Sequence, residues 1–542
     1  MTPKQLNECA DQLFSKRSTL MSLWQELAVN FHPAKSDFTT TWQLGRDFMS
    51  DLATSYPIIA RRDLGNTIGE MLRPTAKPWF HIRTADVRID NDVDSRRWLE
   101  WAEQTQRRAM YDKDTQFTRA TKDADHVYAT FGQAVISIQV AHNRNGPHLL
   151  YRTWHLRDTA WAENEHGEIG QVYRKWKPTC RDLCQMFPGK CHESVVKIAE
   201  KAPFTEVNCK HFVVESDMVD GDYKKFPFVS VYYDCDHEQV LEITGSWNLM
   251  YVIPRWEHLQ QSQYAYSPAA LTALPDARLV QAMTLTLLEA GEKMTNPPMI
   301  AVENAIRSDV SIYAGAITWV DQDYDERLGE VLRPLTQDKS GMPLGIEMQR
   351  DCRSLIADAF FLNKLGMPPR AAEMTAFEVG QRVQEYIRSA LPIFEPMEAE
   401  YNGGICDMTF DLLLRNGAFG SPENMPMALQ NARFDFNFVS PLHDVIESQK
   451  GHQFQEMMAL VGQAVVLDPS SKNVPDIKTA LRDALLGVGV PAMWEHTIDE
   501  MAEIDAKEQA AAQQQMMLQN LATGAGAAKD LGAAAQAFAP AA

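Results

Sequence analysis

The chain has 542 residues, 45% hydrophobic and 9% aromatic, enough for a large core and more than one domain usually takes. Its 72 acidic residues outnumber the 52 basic ones for a formal charge of -20, which excludes a protein whose main task is gripping a phosphate backbone. It shows neither a charged-then-apolar leader nor an apolar run of membrane-spanning length, and its eight cysteines follow no regular framework, so the expectation is a soluble chain made in a reducing cytoplasm.

Leu20, Leu23, Trp24, Leu27 and Phe31 recur at three- and four-residue spacing and predict a helix that His32-Pro33 stops. A second helical pattern runs from Ile58 to Met71 and ends at Arg73-Pro74, after which Lys77-Pro78-Trp79-Phe80 turns extended. From Ala134 to Trp247 the pattern changes to short β-rich runs, such as Val135 to Ile138 and Phe228 to Tyr233, punctuated by Asn145-Gly146, His166-Gly167 and Asp220-Gly221. Ser267 can cap a helix over Pro268–Thr295, a rod of roughly 40 Å at ~1.5 Å per residue, with Pro275 as a break or kink. Short apolar runs between Pro297 and Gly345 suit a small α/β insert. The next helix places Met348, Cys352, Leu355, Ile356 and Ala359 on one face.

Two prolines and a glycine interrupt helix between Gly366 and Met374, and Thr375 with Glu378 has the spacing of a capping box. The new helix carries Phe377, Gly380, Val383, Ile387 and Leu391, is disturbed at Pro392 and Pro396, and resumes through Tyr401, Ile405, Met408 and Leu412 to Asn416-Gly417. A strand-like Phe434 to Val439 follows, then helical patterns to about Ala506, then an Ala/Gln-rich tail that reads as weak helix or disorder. The whole is α+β and mainly α.

Chemistry has little to stand on in this sequence. No phosphate loop, dinucleotide turn, nucleophile elbow or zinc helix motif is present. Cys180, Cys184, Cys191, His192, Cys209 and His211 are zinc-type ligands, but their spacing matches no ordinary zinc module and ordinary buried or free thiols explain each cysteine. Asp321, Asp323 and Asp325 alternate like the start of a calcium loop, yet Glu326 stands where glycine is needed and Leu332 where a bidentate glutamate is needed. Asp407 and Asp411 read as surface charges at four-residue spacing. The expectation is no catalytic residue, no metal and no cofactor.

Three stretches together carry a family resemblance. They are Leu23-Trp24-Gln25-Glu26-Leu27-Ala28 with Pro33, Ala60 to Pro74 and Lys77 to Phe80; Tyr264 to Ala269 with Ala273 to Asp276 and Asn296-Pro297-Pro298; and Met374-Thr375-Ala376-Phe377-Glu378-Val379. In order, spacing and total length, over roughly residues 20 to 440, the chain resembles the portal, or head-to-tail connecting, proteins of short-tailed podovirus phages.

The resemblance implies a twelve-fold ring at one capsid vertex with an α+β wing, a two-helix stem, a small α/β clip and a helical crown. Mapped on this sequence it implies a wing over 1–266, stem helices over 267–296 and 346–365, a clip over 297–345, and a tunnel loop over 366–376. The spine helix and remaining wing would take 377–440, the crown 441–505 and the tail 506–542. Gly366, Met367, Pro368, Pro369, Arg370 and Met374 would face DNA, with Arg370 the phosphate contact. Arg307, Asp309, Asp321, Asp323, Asp325 and Arg327 would form the docking charge of the clip. The implied partners are further copies of the chain, the major capsid protein, the terminase large subunit, a tail adaptor, double-stranded DNA in the channel and internal core or ejection proteins, with no membrane. The implied place is the head-tail junction of the virion, after assembly in the host cytoplasm. The competing readings are another oligomeric virion subunit and a nucleic-acid-processing enzyme.

Overall fold

The computed structural model describes residues 1–301 apart from 42–44, 46, 51, 76, 144–145 and 260–261; isolated positions and 330–335 in the segment up to 340; 341–365; 396–438 apart from 422–424 and 431; 453–464, 474–488, 492–494 and a few further positions to 513. Helix predominates over strand. Two compact units divide the chain: residues 1–77 with 109–412, and residues 78–108 with 413–542.

The first unit is built around a five-stranded antiparallel sheet in the order Thr159–Glu163, Ile169–Trp176, Cys209–Glu215, Phe228–Asp234, Gln239–Ser246. Strand alternation gives it two different faces. Tyr173, Phe212, Val214, Val229, Val231 and Tyr233 form one apolar face, covered by Leu6 and Ala10 of the Pro3–Lys16 helix. That helix starts in a reciprocal capping box between Thr2 and Gln5, the arrangement that satisfies two otherwise open N–H groups. The opposite face carries Arg174, His211 and Tyr232 in register across three strands. The helices Cys180–Met186 and Glu193–Lys201, set between two strands of the sheet, are invisible to β-pattern reading because each is short.

Beside this sheet, Trp24, Leu27 and Phe31 are buried on the Ser18–Phe31 helix, with the Tyr56–Leu72 and Phe117–Phe131 helices completing the layer. Gly132 ends the last of these with φ +77°, and a Cβ there would fall on the Tyr266 backbone. Only glycine lets the two chains pass. A smaller antiparallel sheet pairs Val135–Asn143 with Gly146–Trp154 and Tyr251–Val252.

The stretch expected as one helix from Pro268 to Thr295 is helical throughout, with a change of type near its start. Ala269–Ala273 is a π-helical segment, and Pro275 sits in the first turn of an α-helix over Leu274–Thr295, where its missing N–H costs nothing. The second helix of the region spans Gly341–Ala359, and its buried residues are Cys352, Ile356 and Ala357, followed by Phe360 just past its end; Met348 and Leu355 are exposed. Phe361, at φ +57°, then breaks the path before Leu362–Leu365. Glu398–Gly403 is again π-helical and leads into the helix Gly404–Arg415. The expected helix from Phe377 to Leu391 and its capping box lie outside the described residues.

In the second unit the strands Phe80–Thr84 and Phe434–Phe438 pair antiparallel. Trp79 stacks on Phe438, and Phe80 meets Phe436 across the ribbon. The Val93–Met110 helix adds Trp98, which contacts Phe419 and Phe434. Residues 453–464 and Ile477–Val488 are helical. Apart from residue 513, the tail beyond residue 510 lies outside the described residues.

Candidate functional surfaces

The Leu274–Thr295 and Gly341–Ala359 helices pack against each other in opposite directions. Gly345 lies against Leu287, the Gln349 side-chain amide donates to Thr284 Oγ1 at 2.8 Å, and Cys352 comes near Asp276. The descending order on one helix against ascending order on the other defines an antiparallel pair. The strands Met299–Ala301 and Leu332–Pro334 continue it as an antiparallel ribbon.

One end of this pair is tied into the first unit. Ala277, Val280, Cys352 and Ile356 are buried there, Gln281 accepts from the backbone N–H groups of Ala53 and Thr54, and Arg278 binds Glu26. Ser267 Oγ donates to the Thr130 carbonyl at 2.6 Å, fixing the entry to the first helix. The other end is different. Leu285, Leu288 and Leu344 are 54%, 61% and 61% exposed, with Ile346, Met348, Met299, Ile300 and Leu335 also open. Exposed apolar side chains in such density mark an interaction surface rather than chance.

The other concentrations of reactive side chains are structural. His211 accepts or donates at both ring nitrogens, to Tyr251 OH at 2.6 Å and Ser230 Oγ at 2.9 Å. A serine beside a histidine is the start of a nucleophile arrangement. Here both are fully enclosed, and burial with Arg174 nearby holds the imidazole well below its usual range, so no substrate reaches them. Arg174 stands over the Trp154 ring at 3.7 Å and donates to Tyr251 OH, which together hold its charge inside the sheet.

A second buried network joins three distant segments. Arg73 donates to Asn402 Oδ1 at 2.9 Å and pairs with Asp125, which also accepts from Tyr401 OH at 2.7 Å. Asn402 in turn donates to the Leu72 carbonyl at 3.0 Å. Burial works against the Arg73 charge, but Asp125 and Tyr401 more than offset it and hold the guanidinium above its usual range. A pocket of about 440 Å³ lies over this network, bordered by Gly65, Gly69, Glu70, Thr121 and Lys122. Arg73 and Asp125 at its floor are already engaged with each other.

Of the residues singled out in the sequence, Asp321 is half-buried and Arg327 exposed. Arg307, Asp309, Asp323 and Asp325, and all of Gly366, Met367, Pro368, Pro369, Arg370 and Met374, lie outside the described residues. Asp411 accepts from Asn248 Nδ2 at 2.7 Å, so it is a structural partner as well as a surface charge. Cys180, Cys184, Cys191 and Cys209 do come together in one apolar cluster with Leu183, Phe187, Val195 and Leu241. Among the described residues no group of three or more His, Cys, Asp or Glu is placed to hold a metal ion. The exposure of these leucines was not legible in the sequence, because Leu288 stands about three turns after Ala277 and continues its buried stripe.

These features define a class of protein: one whose chemistry-bearing groups brace the fold and whose helix pair leaves apolar side chains open. The family model for the bacteriophage head to tail connecting protein matches residues 3–494, and the chain belongs to that family. It is a structural component of the virion and not an enzyme. The chain is similar to the portal protein of Salmonella phage epsilon15, 23% identical over 532 residues that cover 95% of this chain and 93% of that protein. It is also similar to the probable portal protein of Bordetella phage BPP-1, 23% identical over 441 residues, 80% of this chain and 77% of the other. No helix among the described residues is long and apolar enough to cross a membrane.

Proposed function

We propose that this chain is the portal subunit of a short-tailed phage, twelve copies of which form a ring at one capsid vertex. The ring admits DNA during packaging, releases it at ejection, and docks first the terminase large subunit and then a tail adaptor. The observation that carries this reading is the helix pair with its ribbon: one end anchored, the other lined with open Leu285, Leu288 and Leu344. In a ring, each pair is covered by its neighbours and the exposed leucines become interface core.

On this reading residues 267–296 and 346–365 are the stem and 297–345 the clip. Residues 1–266 are wing, joined by the spine helix and remaining wing over 377–440; 441–505 form the crown facing the head interior, where core or ejection proteins meet it, and the wing faces the major capsid protein. The segment 366–376 is the tunnel loop, with Arg370 touching phosphate weakly and repetition around the ring multiplying the contact. Arg307, Asp309, Asp321, Asp323, Asp325 and Arg327 supply the clip charge that selects motor and adaptor.

Sedimentation of the purified chain tests the interface. Leu285→Glu with Leu288→Glu is expected to leave a folded monomer, with unchanged far-UV dichroism, that no longer forms the large assembly. Retention of the assembly by the double variant would remove the helix pair from the subunit interface.

A further inference from the structure

The thiols of the small two-helix arm between the sheet strands carry a chemistry that connector function does not use. The helix Cys180–Met186 ends at Phe187, and Pro188-Gly189-Lys190 turn the chain back, with Gly189 at φ +73°. That left-handed residue is what brings Cys191 back over the helix it has just left. The Cys191 thiol lies against the carbonyls of Leu183, at 3.5 Å, and Phe187, at 3.6 Å, which flank Cys184 in the chain. Cys184 follows Leu183 directly and packs, with Cys191, against the same apolar cluster. The turn itself is held: Lys190 pairs with Glu242 at 2.8 Å, and its carbonyl accepts from Gln239 Nε2 at 2.8 Å. Cys180 and Cys209, in the same cluster, are buried, whereas Cys184 and Cys191 are only half-buried.

We propose that Cys184 and Cys191 are an oxidation site, present as free thiols in the reducing cytoplasm and joined as a disulfide once the particle meets an oxidising medium. The oxidant is a small-molecule disulfide. One cysteine thiolate attacks it, forming a mixed disulfide and releasing one small thiol. The second cysteine thiolate then displaces the other small thiol from the mixed disulfide. The protein loses two electrons and two protons, and the oxidant becomes two thiols. Burial and the neighbouring Cys184 push the Cys191 thiol up to about 12. Cys191 itself therefore carries little thiolate at neutral pH, and attack by it speeds as pH rises. The bond would fasten the turn at 187–190 that Lys190 holds against the sheet.

The test uses the full-length protein, purified with reductant and transferred to oxidised glutathione. Trypsin cuts after Arg181, Lys190 and Lys197, so Cys184 and Cys191 fall on separate peptides. The expected product is the 182–190 and 191–197 peptides joined, about 2 Da lighter than their sum, separable again by reductant. Cys9→Ser is expected to leave this product unchanged, and Cys191→Ser to abolish it. Oxidation is also expected to raise the heat-unfolding midpoint of the wild type and not that of Cys191→Ser; if that variant misfolds, Cys184→Ala takes its place. Lasting glutathione adducts at either residue, pairing with Cys180, Cys209 or Cys235, or no loss of thiols would each overturn the proposal.

Discussion

At the scale of single residues, the fold spends its buried charges on holding segments together. Arg17 donates to the carbonyls of Leu156 and Thr159 at 2.6 Å each and to that of Arg157, closing the turn that carries Asp158, whose charge supports the buried guanidinium. Arg73 likewise ties the middle of the Phe117–Phe131 helix, at Asp125, to the π-helical segment at Asn402. Arg73→Ala is expected to cost about 3–5 kcal/mol, because it leaves the Asp125 carboxylate buried and uncompensated. Removing both partners in Arg73→Met with Asp125→Leu should cost clearly less than the two single losses added, and a denaturant-unfolding double-mutant cycle reads the difference. Two histidines make the same region acid-sensitive. Burial and the nearby Arg61 hold His126 down to about 4, and burial with Arg61 and Lys35 holds His32 down to about 2. A histidine depressed in the folded chain leaves full stability above its ordinary value near 6.5 and loses it as pH falls toward the folded value. The heat-unfolding midpoint is thus expected to fall steeply from pH 6.5 to pH 4, and His126→Gln should flatten that slope.

At the scale of elements, the sequence was most readable where one periodicity ran undisturbed. Trp24, Leu27 and Phe31 announce their helix, and Phe228 to Tyr233 reads as strand because β-rich residues fill it, one residue short of the observed end at Asp234. The long entry helix runs unbroken as expected, but since Pro275 suits either a kink or a first turn, only the tertiary path chooses the π-segment before it. The buried face of the Gly341–Ala359 helix was shifted for a related reason. Its apolar residues form one broad stripe of which only one edge is covered within the chain, so Leu355 and Met348 proved open while Cys352 and Ile356 proved buried. The Arg73–Asp125–Tyr401 network was illegible because its members are 52 and 276 residues apart in pairs. An open apolar helix pair has a consequence in exchange experiments. Amide protection within 281–295 and 341–351 is expected to rise by at least tenfold when monomer becomes ring, while the Cys209–Glu215 strand stays equally protected in both. Equal protection of the helix pair in the two states would mean that monomer packing already orders it.

At the scale of the whole molecule, the acidic balance and the family agree. A formal charge of -20 per chain disfavours tight adhesion of a polyanion, which suits a passage through which DNA must move. Charge of that sign does not by itself build a passage; the closed arrangement of subunits does. Family membership across residues 3–494 and the open apolar helix pair are the two observations on which the proposed ring rests. The direct measurement is electron microscopy of the purified full-length protein. The account predicts end-on class averages showing a closed ring of twelve equal subunits around an open centre. Monomers or open, irregular oligomers under conditions where the chain is folded would contradict it.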